Sequence, residues 1–88
     1  MPYTYYISQL NKQLEDVLEK VSNESILLYS AMDQVEKMLN QAILYKSVFI
    51  ETKADNEYLE ELEVIINKLK QGMDDIQDQI SLKRSQSM

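Results

Sequence analysis

The apolar residues in the first half of the chain follow one regular pattern. From Tyr3 to Phe49, alternate steps of four and three residues reach an apolar side chain at every position except Glu24. This is a heptad repeat, which places a stripe of apolar side chains along a helix that packs against other helices. The apolar positions are Tyr3, Ile7, Leu10, Leu14, Val17, Val21, Leu28, Ala31, Val35, Met38, Ala42, Tyr45 and Phe49. The pattern predicts an all-α fold.

A second apolar stripe follows the polar segment 52–56, where the heptad phase changes. This stripe is broad, because two neighbouring rows of apolar residues run along the same helix face. The first row is Tyr58, Leu62, Ile65, Leu69 and Ile76, and the second is Leu59, Ile66, Met73 and Ile80. The only glycine, Gly72, lies within the stripe, and we expect the helix to continue through it despite a cost of about 1 kcal/mol relative to alanine.

Charge placement supports a helix boundary in the polar segment. Residues 37–50 carry Lys37 and Lys46 but no acid, whereas several glutamates follow residue 56. Cations near a helix C-terminus and carboxylates near an N-terminus both favour the helix macrodipole. We therefore expect one coiled-coil domain, 1–88, with a helix over about 3–50, a break at about 51–56, a helix over about 56–82 and a frayed tail at 83–88.

A second possible break lies at Ser22-Asn23-Glu24-Ser25. This segment combines helix-capping residues with the single charged position of the heptad run. The favoured architecture is an elongated helical hairpin within a multi-helix bundle. The alternative is a compact three-helix monomer with helices over 3–21, 26–50 and 56–82.

The heptad stripe has apolar neighbours on both sides, so it is wider than a two-stranded coiled coil requires. A two-stranded coiled coil buries two of every seven positions, whereas a wide stripe is typical of three or more packed helices. The additional residues are Leu18, Leu27, Met32, Leu39, Ile43, Leu44, Val48 and Ile50. The sequence thus predicts homo- or hetero-oligomerisation with helical partners. The predicted partner-helix interface is Ile7, Leu10, Leu14, Val17, Val21, Leu28, Val35, Met38, Tyr45, Phe49, Leu62, Ile65, Leu69 and Ile76.

Composition narrows the functional classes. The chain has 88 residues and a net charge of −6, with no cysteine or histidine. The acidic balance argues against binding nucleic acid or anionic lipid. We expect no membrane span, because charged residues interrupt every apolar stretch, and an intracellular location, because no secretory signal is recognised. A domain this small buries only about 60% of its unfolded surface, which also favours a partner chain.

Candidate chemistry is sparse. Exposed carboxylates recur at helical spacing in Glu57, Glu60 and Glu61 and again in Asp74, Asp75 and Asp78, but bundle di-metal sites also use histidine. Tyr3, Tyr5 and Tyr6 could anchor a partner, although we expect Tyr3 to cap the stripe and the other two to lie on the surface. We predict no enzyme activity, no metal site and no cofactor.

The segment Ile7-Ser8-Gln9-Leu10-Asn11-Lys12-Gln13-Leu14-Glu15-Asp16-Val17-Leu18-Glu19 resembles the opening of small central-element proteins of the synaptonemal complex. The likeness covers about a seventh of the chain. Because leucine–glutamate repeats recur in unrelated coiled coils, we treat it as a coincidence of pattern and assign no family.

Two functions are consistent with these features. The favoured one is a non-catalytic scaffolding subunit that assembles with itself or with other helical chains into a multi-protein complex. The alternative is a small acidic regulatory adaptor, a compact three-helix monomer that binds a basic partner through residues 57–63. Ionic strength distinguishes the two, because salt weakens surface electrostatics far more than apolar packing.

Overall fold

Residues 2–86, which the computed structural model describes, form three α-helices connected by two short segments. The helices are α1, Tyr3–Ser22, α2, Leu28–Glu51, and α3, Asn56–Gln86, and no strand occurs within the described range. The predicted all-α fold is confirmed, and so is the break at 51–56, since α2 ends at Glu51 and α3 begins at Asn56.

The continuous helix expected over 3–50 is wrong, because residues 23–27 separate α1 from α2. The Ser25 amide donates to the Lys20 carbonyl at 2.9 Å, and the Glu24 amide donates to the Val21 carbonyl at 3.2 Å. Glu24 itself adopts a left-handed conformation with φ of 56°. These three features form a Schellman motif, which satisfies the last carbonyls of a helix and turns the chain away from its axis.

The connection between α2 and α3 uses the same motif. The Ala54 amide donates to the Phe49 carbonyl at 2.9 Å, the Lys53 amide donates to the Ile50 carbonyl at 3.1 Å, and Lys53 has a φ of 60°. Ala54 then packs against the apolar core. Both connections therefore reverse the chain direction with a left-handed residue that is not glycine.

The helices run up, down and up. At one end Tyr3 packs edge-on against Phe49 with 4.7 Å between ring centroids, and its ring lies 5.1 Å from that of Tyr58. At the other end the Arg84 guanidinium donates to the Tyr29 hydroxyl at 2.7 Å. The start of α1 thus meets the end of α2, and the end of α3 meets the start of α2. The bundle measures 52 × 18 × 16 Å.

The core runs the length of the bundle and contains side chains from all three helices. Every buried side chain among residues 2–86 is apolar. The buried set is Ile7, Leu10, Leu14, Val17, Ala31, Val35, Met38, Ala42, Phe49, Leu62, Ile65, Ile66, Leu69, Ile76 and Ile80. The turn at 23–27 folds α1 back onto α2 and α3, so the chain itself buries the heptad stripe.

The third helix is longer than expected. It passes through Gly72 without a break and continues to Gln86, whereas the sequence predicted an end near residue 82 and a frayed tail. The reason lies in two contacts near its end, the buried Ile80 and the bond from Arg84 to Tyr29. Of the predicted tail, Ser87 and Met88 lie outside the described residues.

Candidate protein-binding face on the second helix

The residues predicted to meet a partner helix lie in the protein's own core. Val21, Leu28 and Tyr45 are half-buried and pack against the core, and the remaining predicted residues are buried. Those buried are Ile7, Leu10, Leu14, Val17, Val35, Met38, Phe49, Leu62, Ile65, Leu69 and Ile76. Their burial by helices of the same chain is observed, whereas a role at a partner interface stays a prediction. A surface available to a partner therefore has to involve other residues.

The apolar residues that flank the heptad stripe divide into two groups in the fold. Met32 and Leu39 pack against the core, and Val48 is half-buried. The others stay exposed, namely Leu18, Leu27, Ile43, Leu44 and Ile50. Three of these exposed residues lie close together near the C-terminal end of α2.

We define the α2 outer face as Asn40, Ile43, Leu44, Ser47 and Ile50. Steps of three and four residues connect Asn40, Ile43, Ser47 and Ile50 along one side of the helix, and Leu44 lies beside this line. The opposite side of the same stretch carries the buried Met38, Ala42 and Phe49. Ile43, Leu44 and Ile50 are 49%, 62% and 58% exposed. The face thus points away from the core and offers three large aliphatic side chains to a partner.

The α2 outer face has little charge around it. Lys46 is the only charged residue from Met38 to Ile50. Its ammonium group contacts the Glu63 carboxylate of α3 at 2.9 Å. That ion pair neutralises the lysine and directs it toward α3. The surface offered to a partner is therefore apolar, with asparagine and serine amide and hydroxyl groups between the aliphatic side chains.

Among the other exposed apolar residues, Leu18 and Leu27 line one shared cleft, and the rest do not form a comparable surface. The Tyr29 ring centroid lies 5.8 Å from the Arg84 guanidinium carbon, and the Tyr29 hydroxyl accepts a hydrogen bond from Arg84. Tyr5 packs edge-on against Tyr6. Val64 and Leu82 are exposed on α3 but lie eighteen positions apart. Single apolar residues are ordinary on a protein surface, whereas a cluster indicates an interaction site.

The tyrosines at the start of α1 differ from the prediction in one respect. Tyr3 caps the stripe as expected, and Tyr5 is exposed. Tyr6 was expected on the surface, but it is half-buried and its ring lies 4.9 Å from that of Tyr45. Aromatic packing between α1 and α2 thus uses a residue that the heptad pattern did not include.

The outer side of α3 is acidic. Its exposed carboxylates form two groups, Glu57 with Glu60 and Glu61, and Asp74 with Asp75 and Asp78. Among residues 2–86, no group of three or more acidic, histidine or cysteine side chains is arranged to hold a metal ion. Glu57 lies in the first turn of α3, where a carboxylate stabilises the helix N-terminus.

A cleft of about 540 Å³ opens where the α1–α2 connection meets α3. Leu18, Leu27 and Ile76 line its apolar part, and the acidic and basic residues around it, Asp75 and Lys83 among them, are exposed. General acid–base catalysis depends on groups that are positioned and shielded from water. This cleft offers exposed side chains instead, so we do not assign it a chemical role.

Comparisons with protein-family models, with curated proteins and with solved structures found no match to this chain. None of the helices within residues 2–86 is long and apolar enough to cross a membrane. The functional argument therefore depends on the surface described above.

Proposed function

We propose that this three-helix bundle is a non-catalytic structural subunit that joins a multi-protein complex by packing its α2 outer face against another helical surface. One observation carries the proposal. Ile43, Leu44 and Ile50 are about half exposed or more, within two turns of each other, on a helix whose opposite side already supplies the core. Folding of the chain does not require aliphatic side chains at these positions, so binding is the better explanation of their presence.

The free energy gained by burying these three side chains is too small to hold a complex together without further contacts. Full burial of one such aliphatic side chain contributes about 1.5–3 kcal/mol, so covering the exposed half of all three yields about 2–5 kcal/mol. Association costs at least about 4 kcal/mol in lost freedom of motion. A stable complex therefore also needs apolar groups of the partner and polar contacts around the face. A partner helix laid along α2 supplies both, as in helix-in-groove and coiled-coil recognition.

The proposal is tested by the size of the assembly in cells that express the protein naturally. The tagged chain is fractionated by size in an extract, and the mass of the intact complex is determined. Wild-type protein should elute in a complex larger than the monomer, whereas Leu44→Glu should elute as a monomer. A charge at this position would have to be buried at the interface without a partner, which is strongly unfavourable.

Leu82→Glu is the matched control, because Leu82 is a leucine on α3 with 60% exposure against 62% for Leu44. It should leave the complex intact. Circular dichroism of both purified variants should match wild type, since neither residue contributes to the core. Urea denaturation should match as well when the protein is too dilute to associate. A complex that survives Leu44→Glu, or one that Leu82→Glu disrupts equally, would reject the α2 outer face as the binding surface.

A second function, binding of a basic partner by the acidic side of α3, is supported by the exposure of Glu57, Glu60 and Glu61. Those carboxylates lie within two turns of each other, so a lysine- or arginine-rich segment could contact all three. The variant with glutamine at these three positions tests it. Under this hypothesis the variant loses the complex, and wild-type binding weakens steeply as salt rises. Under the α2 hypothesis the complex tolerates both changes.

A further inference from the structure

We propose that the α2 outer face binds a second copy of this chain, with the two α2 helices antiparallel about a two-fold axis at Leu44. This inference rests on the proposed function and names its partner. The observation behind it is the order of charges along α2 and its C-terminal cap. When a second α2 helix runs in the opposite direction, its negative charges lie opposite the positive charges of the first helix.

The charge balance of α2 makes self-association possible for an acidic protein. The whole chain carries a net charge of −6, so two copies repel each other through most surfaces. Residues 33–53 are an exception, since they carry three acids and three lysines and are neutral overall. These are Asp33, Glu36, Lys37, Lys46, Glu51 and Lys53. Copies that meet along α2 avoid the acidic outer side of α3.

The antiparallel arrangement pairs opposite charges. Lys37, Leu44 and Glu51 are spaced seven residues apart, so they lie nearly in line along α2, about 10 Å from one to the next. A two-fold axis at Leu44 reverses this line onto itself. Lys37 of one copy then lies opposite Glu51 of the second copy, and the reverse pair forms as well.

A parallel arrangement cannot form these pairs. It places equivalent residues at the same height, so Lys37 of one copy lies about 21 Å along the axis from Glu51 of the second copy. The order of charges along α2 therefore favours the antiparallel arrangement. Lys37 already contacts Asp33 of its own helix at 3.1 Å, but the two side chains are 77% and 61% exposed. Lys37 is therefore accessible to a second carboxylate.

The apolar residues fit the same register. Leu44 meets Leu44 of the second copy at the axis. Ile50 lies on the other edge of the face, and the half-buried Leu39 lies just outside the face on the same side, eleven residues away, which is about three helical turns. In an antiparallel pair each edge meets the equivalent edge, so Ile50 lies beside Leu39 of the second copy. Asn40 and Ser47 occupy the middle, where side chains of moderate size allow the helices to approach.

Single cysteines provide the first test, because the natural chain contains none. Purified wild-type protein should sediment as a dimer at micromolar concentration, and Leu44→Cys should form a disulfide-linked dimer under mild oxidation. Lys37→Cys and Glu51→Cys should each remain largely unlinked alone, but an equimolar mixture of the two should form the mixed disulfide. That heterodimer keeps one Lys37–Glu51 pair intact. Leu82→Cys is the control and should remain monomeric on denaturing gels.

Charge reversal provides the second test. Lys37→Glu places like charges opposite Glu51 in both symmetric contacts, and Glu51→Lys does the same opposite Lys37. Each single change should raise the dimer dissociation constant by about tenfold, in line with charge pairs at interfaces. The double variant, Lys37→Glu with Glu51→Lys, should restore an affinity close to wild type.

The outcomes separate this inference from the proposed function. A purified chain that stays monomeric at about 100 µM, while Leu44→Glu still disrupts the complex in extracts, overturns the inference and leaves the proposed function standing. Self-linking of Lys37→Cys or Glu51→Cys without the mixed product overturns the antiparallel arrangement. A dimer that forms without any Leu44→Cys link, and that resists Leu44→Glu, overturns both proposals.

Discussion

The second and third helices differ in what they do with their outer sides. The inner sides are alike, since Val35 and Phe49 of α2 and Leu62 and Leu69 of α3 are all fully buried. The outer side of α3 carries six exposed carboxylates, as expected for a helix whose remaining surface faces water. The outer side of α2 carries exposed aliphatic side chains instead. α3 is amphipathic, with an apolar inner side that is buried in the bundle and a mainly charged outer side. α2 carries large apolar side chains on both its inner and its outer side.

This difference separates folding from binding within one helix. Because α2 supplies the core with one side, its outer side can change without loss of the fold. α3 provides the internal comparison, since its outer side is mostly charged and polar, and its exposed Val64 and Leu82 lie eighteen positions apart. Changes on the inner side of α2 should therefore act on stability, and changes on its outer side on association.

The largest expected change in the free energy of unfolding comes from aspartate on the inner side of α2, and aspartate on its outer side is the comparison. Val35→Asp puts a carboxylate at a fully buried position, where no side chain in the core can pair with it. We expect a loss of at least about 3 kcal/mol in the free energy of unfolding. Leu44→Asp should cost under about 1 kcal/mol, mainly from the lower helix propensity of aspartate. Urea denaturation at low micromolar concentration measures both.

A small effect of Val35→Asp, or one similar to that of Leu44→Asp, would break the comparison, because it would mean that the side assigned to the core is accessible to solvent. Association of the Leu44→Asp variant should be measured on the same samples. A variant that folds normally but no longer associates is the result that separates the two sides of α2.

The heptad pattern was sufficient to predict an all-α fold and to select apolar residues that the fold buries, although it assigned them to a partner-helix interface. Residues such as Leu10, Leu14 and Val35 were selected by spacing alone, and all are buried. The favoured architecture missed the first turn, because Ser22 to Ser25 contain neither glycine nor proline, and the heptad run continues in phase across them. The three-helix alternative placed a turn at Ser22 to Ser25, and residues 23–27 do separate α1 from α2. The turn depends on a left-handed glutamate that only the Schellman hydrogen bonds reveal.

The α2 outer face was harder to predict for a different reason. Sequence spacing shows that Leu39, Ile43 and Leu44 flank the stripe, but not which flank a third helix covers. In the fold, Leu39 packs against the core while Ile43 and Leu44 do not. Which flank is covered depends on where α1 and α3 lie around α2, and both turns together set those positions. The excess apolar width was correctly recognised from sequence, and its position required the structure.

A smaller change in the free energy of unfolding is expected from a substitution on the inner side of α3. A β-carbon added at Gly72 would lie 3.9 Å from Leu14 Cδ1 and 4.0 Å from Leu18 Cδ2, which is ordinary van der Waals contact. Gly72→Ala should therefore gain about 0.5–1 kcal/mol in the free energy of unfolding through helix propensity. Association should not change, because Gly72 lies on a helix that does not contribute to the binding face. A destabilised Gly72→Ala, or one with altered affinity, would contradict this division of roles.

The smallest expected effect on stability comes from the ion pair between α2 and α3. Lys46 and Glu63 join α2 to α3 at 2.9 Å, and their side chains are 42% and 45% exposed. Partly exposed pairs of this kind contribute about 0.2–1 kcal/mol. A double-mutant cycle with Lys46→Gln and Glu63→Gln should give a coupling energy in this range that declines as salt rises. Lys46→Gln should leave association near the wild-type level, since its ammonium group is directed toward α3. If Lys46→Gln weakened association while Glu63→Gln did not, Lys46 would belong to the binding face, and the boundary between the two sides of α2 would have to be moved toward α3.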